Sequence, residues 1–311
     1  MVMNFPNMAN SIVELENRQE HLDQLKAARH LYTKVGNFSV VYMFFCVLIP
    51  VIISVGRILF ITGSPIILQS MIAYSLAALV VGLVFESKIN SNRGLAAKLQ
   101  QMFDSEVLGF EWNTYLWGQK PSLDEINDNI GNLANEGLMN WYDPMIGELE
   151  KPEAVLLCQR TNLAYDEQLR KSFNNILSVI ALIVGLVVLS VNFYIDEGIR
   201  SAIVFIGVPL VPIIKWFLVT RKQNLEDIKM CSSLKRLIDD KLDDLNASHG
   251  EIDYTIIYRI QDGIYSHRKV AYIIPDFFYN MTRNKHENST HIIVGQIVDK
   301  LKRNKRRAEC V

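Results

Sequence analysis

The chain lacks the signatures of the common enzymes. Its 311 residues contain no GxxxxGKS/T phosphate loop, no GxSxG elbow, no HExxH, and no GxGxxG between a strand and a helix. Phosphate-loop, acyl-transfer, zinc-peptidase and dinucleotide chemistries are thereby unsupported, and no catalytic residue is assigned. Cysteine is scarce: Cys46, Cys158, Cys231 and Cys310 show neither CxxC nor Cys/His ligand spacing, and Cys46 lies inside an apolar run. Reduced thiols are expected, without disulfides, a zinc site or any other metal. The six histidines are scattered, and His286 and His291 do not share a helix face. The opening 37 residues mix Glu14, Glu16, Glu20 and Asp23 with Arg18, Lys26, Arg29 and Lys34. A cleaved leader with a basic start and an apolar core is not expected from them.

What the chain does have is long apolar runs. A net charge of −1 and a mean hydropathy of +0.13 average two populations, strongly charged stretches and nearly uncharged ones. Phe38 to Ile61, Ile66 to Phe85, Ile176 to Ile195 and Ile199 to Val219 are each long enough for the roughly 20 residues that cross a hydrocarbon core. Thr62-Gly63-Ser64-Pro65 and Asp196-Glu197-Gly198 are tight-turn signals, so the runs pair into two hairpins. Pro50 is expected to bend the first span, and Pro209 and Pro212 to interrupt the fourth, as hinges or as static kinks. The spans hold no central acidic–basic pair of the kind that marks an ion path.

Between and around the hairpins the chain is polar. Leu15, Leu22, Leu25, Ala28, Leu31 and Tyr32 make an amphipathic helix of about Glu14 to Lys34. The insertion from Glu86 to Asn175 carries 8 basic and 14 acidic residues, and the segment from Thr220 onward carries 17 basic and 13 acidic. Opposite balances on one side of a membrane predict that insertion and tail pack together. Lys34, Lys88, Arg93, Arg170, Lys171, Arg221 and Lys222 flank the long soluble parts, while the short loops have little beyond Arg57 and Arg200. Positive residues stay inside, which puts both termini and the insertion in the cytoplasm.

The expected fold is an all-α membrane protein with four transmembrane helices as two hairpins. One mainly helical cytosolic domain is formed by the central insertion and the C-terminal segment. The expected divisions are 1–37 (N-terminal amphipathic helix), 38–85 (hairpin 1), 86–175 (insertion), 176–219 (hairpin 2) and 220–311 (C-terminal segment packing with 86–175).

The candidate site lies on the helix predicted from Ala154, which passes without a breaker into the third span. Gln159, Asn162, Asp166 and Arg170 are spaced by three, four and four, so they share one stripe of that helix. Arg160 and Tyr165 lie beside it, and the tail contributes Arg259, Tyr265, Arg268 and Tyr279. Arginine forks suit phosphate, amides read base edges, and aromatic faces stack on bases, so the mixture fits a nucleotide-type ligand. A buried ion network in which Asp166, Asp262 and the arginines staple insertion to tail fits the same residues.

Three motifs resemble a known family. They are Arg18, Gln19, Leu22, Leu25, Ala27, Arg29, Leu31 and Tyr32 near the start; the run Cys158 to Leu163 with Tyr165, Asp166, Leu169 and Arg170; and Ile260, Gln261, Asp262, Ile264, Tyr265 and Arg268 followed by Pro275, Asp276, Phe278 and Tyr279. With the order hairpin, insertion, hairpin, tail, the chain resembles the SMODS-associating four-transmembrane effectors. These are membrane effectors of CBASS, the bacterial anti-phage systems in which a nucleotidyltransferase makes a cyclic oligonucleotide on infection. The resemblance implies a multi-pass inner-membrane protein that is not an enzyme. It also implies binding of a cyclic di- or trinucleotide, assembly as a homo-oligomer, and damage to the bilayer that ends the infected cell. No other cofactor and no DNA or RNA polymer is implied. A constitutive membrane scaffold or receptor subunit with a protein-binding cytosolic domain is the competing reading.

Overall fold

The computed structural model of the protein describes residues 10–45, 49, 65–135, 137–195, 208–248 and 253–309. Among these the regular structure is helical throughout, with no strand. In chain order the helices are α1 (Ile12–Leu15), α2 (Gln19–Met43), α3 (Pro65–Leu108), α4 (Thr114–Trp117), α5 (Leu123–Asn127), α6 (Lys151–Ile195), α7 (Val208–Ser248), α8 (Tyr254–Val270) and α9 (Asp276–Glu309), with a 3₁₀ turn at Pro144–Glu148.

Helix ends follow local chemistry. Gly109, at φ 88°, ends α3 in the left-handed region, and its N–H and that of Phe110 both donate to the Ser105 carbonyl. Ser122 and Glu125 form a reciprocal capping box on α5. Pro152 sits in the first turn of α6, where a missing N–H removes nothing. The N-terminal amphipathic stretch, expected as one helix, is two: α1 stops at Leu15 and α2 starts at Gln19. The break lets the Glu16 carboxylate accept the Tyr142 N–H at 2.9 Å, and Asn17 exchanges hydrogen bonds with Asn140.

α2 packs along α3, α6 along α7, and α8 lies against α3, α6 and α7. The main core joins Phe103, Val107 and Leu108 of α3, Val155 to Cys158 of α6, Ile238 of α7, Ile257, Ile260 and Ile264 of α8, and Val294 and Val298 of α9. Insertion and tail residues thus share one apolar interior. A smaller cluster unites Ala27, Ala28 and Leu31 with Ala96 and Leu99. A third, of Leu169, Phe173, Leu177, Ile274 and Phe278, sits beside α6 just before its apolar half.

α6 is unbroken from Lys151 to Ile195, so the polar stripe and the expected third span belong to one helix. Lys151–Val187 is, among the described residues, the stretch long and apolar enough to cross a membrane. Only 18% of its apolar window is buried, whereas a core helix of a water-soluble protein would be mostly covered. Val179, Ile180, Leu182, Ile183, Leu186 and Val187 face outward there. Val41 at the end of α2 and Phe44 and Phe45 just past it, Val80, Val81 and Val84 of α3, and Ile214, Leu218 and Val219 of α7 are exposed too. Exposed apolar surface thus occurs on each described part of the four expected spans, which marks a contact with lipid or protein. The turn at 62–64 and the loop at 196–198 lie outside the described residues, as does the candidate hinge Pro50. α7 already contains Pro209 in its first turn and runs on through Pro212, so the expected interruption at Pro212 is absent from the backbone. Helices accommodate proline where neighbouring groups satisfy the freed carbonyl.

Glu16 provides a test of this packing. Burial pushes its carboxyl up to about 7, an effect that the Tyr142 N–H only partly offsets. A carboxyl whose folded pKa is raised favours the folded state fully at acid pH, and stability falls as pH climbs from its ordinary value near 4.5 toward 7. Glu16→Gln should therefore raise the Tm at pH 8 and leave little difference at pH 4.5. An equal Tm difference at both pH values would show that Glu16 does not titrate in this range.

Candidate functional site

Seven parts of the chain converge on a cavity of about 350 Å³, a volume within the usual range for small-ligand sites. α2 supplies Arg29 and Tyr32, α3 Gln100, the segment before the 3₁₀ turn Gly137 to Asp143, α6 Thr161 to Arg170, α8 Ile264 to Arg268, the connector Ala271 to Ile274, and α9 Asp276, Tyr279, Arg283, Glu287 and His291. Aromatic surface is plentiful. Tyr165 and Tyr279 lie with ring centroids 6.0 Å apart, and the Arg29 guanidinium sits 4.1 Å above the Tyr279 ring. The Trp141 indole donates to Asn162 Oδ1 at 3.1 Å, and Asn162 Nδ2 donates to the Tyr142 hydroxyl at 3.1 Å.

Arg29, Arg170, Arg268 and Arg283 line the wall, balanced by Asp143, Asp166, Asp276 and Glu287. Each of these arginines has a carboxylate partner: Arg29 with Asp276 at 3.2 Å, Arg170 with Asp166 and Asp227 at 2.8 Å each, Arg268 with Asp104 at 2.5 Å, and Arg283 with Glu287 at 2.6 Å. An anionic ligand must therefore compete with carboxylates for its donors. The accessible pairs, Arg29–Asp276 and Arg283–Glu287, exchange partners at lower cost than the buried ones.

The buried pairs form a knot at the base of the cavity. Arg170 donates from Nε to Asp166 and from Nη1 to Asp227 and the Tyr272 carbonyl, with its side chain 5% exposed. Asp227 also accepts the Tyr272 N–H. His267 Nε2 lies 2.7 Å from Asp166 Oδ2, and the Cys231 thiol points at the same oxygen from 3.4 Å. Burial by itself would raise the Asp166 carboxyl, but Arg170 and His267 outweigh it and hold the group well below the usual carboxylate range. Burial, reinforced by Asp166, pushes the Cys231 thiol far up, so it stays protonated.

Of the ten candidate ligand residues, Asn162, Tyr165, Asp166, Arg170, Arg268 and Tyr279 line the cavity. The other four lie elsewhere. Gln159 is fully buried and donates to the Ile257 carbonyl and to Gln261 Oε1, Arg160 pairs with Asp239, Tyr265 is buried with its hydroxyl on the Trp117 carbonyl, and Arg259 is exposed. The stripe of four splits because α8 covers its first turn and leaves the next three open. The ion-network alternative is present in part: Asp166 and Arg170 are stapled, whereas Asp262 accepts from the Trp117 indole at 2.9 Å. Missed among the candidates were Arg29 and Tyr32, which the N-terminal motif contained, and Trp141, Asp227 and Cys231, which the sequence had not singled out as site residues.

Among the described residues the protein is all helical, and a helix that lines a polar cavity runs on into an exposed apolar face, as in a membrane-associated helical protein. Residues 10–297 match the SMODS-associating 4TM effector domain, and the chain belongs to that family. It is a family of anti-phage membrane effectors and not a known enzyme family. A Bacillus cereus (strain VD146) protein, described as a probable CBASS effector molecule, is 25% identical over 280 residues, 88% of this chain and 94% of the relative. No solved structure matches.

Proposed function

We propose that the protein is an inner-membrane CBASS effector in which a cyclic di- or trinucleotide occupies the cavity and drives the spans to disrupt the bilayer. The observation that carries this is α6: Asn162, Tyr165, Asp166 and Arg170 line the cavity, and the same helix continues into the exposed apolar face from Val179 to Val187. In this reading 1–37, 86–175 and 220–311 are cytoplasmic, and protomers assemble on activation.

Phe278 and Tyr279 link the ligand to the rod. Tyr279 faces Tyr165 across the cavity, while Phe278 packs edge-on against Phe173, with ring centroids 5.2 Å apart, two turns further along α6. A base stacking on Tyr279 shifts the start of α9, and Phe278 passes that shift to α6. The ligand must bind the active arrangement more tightly than the resting one, since equal affinity for both moves no equilibrium.

The test is dye release from liposomes carrying the purified full chain, titrated with cyclic di- and trinucleotides. Release at low ligand concentration is expected. Correctly inserted protein that releases nothing with any of them would return the scaffold reading. Tyr279→Ala should raise the concentration for half-maximal release by roughly 5- to 150-fold, equivalent to about 1–3 kcal/mol for one stacked base. Arg160→Ala, whose guanidinium is engaged with Asp239 away from the cavity, should leave that concentration unchanged.

A further inference from the structure

Asp166, Cys231 and His267 come from three different helices, α6, α7 and α8, and their donor atoms meet at one point. Asp166 Oδ2, Cys231 Sγ and His267 Nε2 are 2.7, 3.4 and 3.5 Å from one another, and all three fit within a sphere of metal-ligand size. We propose that this triad is a site for a divalent transition-metal ion of the zinc class, formed only when the three helices pack.

The geometry is that of a tetrahedral site closed by a proton. For zinc bonds of about 2.3 Å to sulfur and about 2.0–2.1 Å to nitrogen and oxygen, tetrahedral angles place sulfur about 3.6 Å from each lighter donor and the lighter donors about 3.4 Å apart. The two sulfur separations already match. The His267–Asp166 separation is shorter because a hydrogen bond now joins them, and it opens by several tenths of an ångström when the ion takes the place of that proton.

The surroundings fit as well. The Asp227 carboxylate lies 3.7 Å from His267 Nδ1, the place of the outer carboxylate that orients a metal-bound imidazole. Asp227 is itself held by Arg170 and the Tyr272 N–H. With the thiol ionised on binding, Asp166, Asp227 and Cys231 supply three negative charges against Arg170 and a dication, so the buried cluster is neutral. Cys231 is fully buried, yet its sulfur lies beside a carboxylate and an imidazole and not in an apolar pocket. Arg170 Nε donates to the same Asp166 Oδ2 at 2.8 Å, which leaves that oxygen one further lone pair, now facing His267, for the ion. Because Asp166 and His267 also line the cavity, an ion held there would sit beside it, where water or an oxygen of an anionic ligand could complete its coordination.

This inference does not depend on the ligand reading, and its test measures the ion alone. The full chain in detergent is stripped with a chelator, titrated with Zn²⁺ and, separately, with Co²⁺, and its metal content is measured after gel filtration. One retained ion per chain is expected, with Co²⁺ giving tetrahedral d–d bands and a thiolate-to-cobalt charge-transfer band. Cys231→Ser should abolish that band and weaken retention at least tenfold, His267→Gln should weaken retention similarly, and Cys158→Ser should change neither. Wild-type protein that retains no ion, or that binds Co²⁺ without a thiolate band, overturns the site whether or not any variant folds. So does an unchanged band in Cys231→Ser of normal helical circular dichroism.

Discussion

Arg170→Met is expected to be the most destabilising substitution in the chain. It keeps the length and apolar stem of the side chain and removes the guanidinium that bridges Asp166 and Asp227. Asp227 is 4% exposed on its side chain, so it becomes a buried charge held by the Tyr272 N–H, the Gln223 amide and His267, without an arginine. Breaking a buried ion pair from one side costs about 3–5 kcal/mol, a large share of the 5–15 kcal/mol that separates a typical folded domain from its unfolded chain. The Tyr272 carbonyl loses a donor as well. Chemical denaturation should show a midpoint far below wild type, and the double variant Arg170→Met/Asp227→Asn should recover more than half of the loss. A single variant as stable as wild type would mean that Arg170 is spared for a ligand and does not staple the fold.

The pH dependence separates these cases further. In the wild type the Asp166 carboxyl is held below its unfolded value of 3.8, so its contribution to stability is present above that value and is lost as pH falls through the lower folded one. Removing Arg170 deletes the principal cause of the depression, and the acid-labile part of the stability should shrink in Arg170→Met. If the acid limb of the stability profile stays where it is, His267 alone holds Asp166 ionised.

Asn175→Pro is expected to separate sensing from damage. Asn175 is exposed and lies between the cavity wall at Arg170 and the apolar face that begins at Val179. Proline there removes one helical hydrogen bond and collides with the carbonyl of Lys171, which costs about 3 kcal/mol and kinks the helix while deleting no tertiary contact of note. Ligand binding, followed through the fluorescence of Trp141 in the cavity wall, should survive within a few-fold. Ligand-triggered dye release should fall by at least tenfold, and Asn175→Ala should behave as wild type. Full release from Asn175→Pro with an intact titration would show that the signal does not travel along α6. α7 packs along α6 and would be the next element to interrupt.

Much of the helical plan is visible in the linear pattern. The continuity of α6 was readable because no glycine or proline lies between Glu153 and Ile183, and a helix once started propagates until something stops it. The extension of α3 beyond the apolar run was readable from Ile89, Leu95, Leu99, Met102 and Phe103, which keep a helical period even though Gly94 lies among them. The amphipathic pattern of the last helix is clear only from about Ile292 to Lys302, yet α9 starts at Asp276. Its first turns, with Phe277, Phe278 and Tyr279 in succession, are weakly patterned, and tertiary partners hold them: Asp276 accepts from Thr33 at 2.5 Å and pairs with Arg29, and Phe278 sits in the cluster with Phe173.

By itself, then, the sequence determined that the chain is helical, that polar and apolar halves share one rod, and to which family it belongs. These are properties of neighbours within a few residues, where periodicity and breakers act. Which residues of a stripe face a cavity and which face another helix depends on where α8 lands, so Gln159 and Asn162, three apart, have opposite surroundings. The meeting of Asp166, Cys231 and His267, separated by 65 and 36 residues, was decided only by tertiary packing. No spacing rule reaches across three helices, because the distance between such donors is set by how the helices cross and not by the number of residues between them.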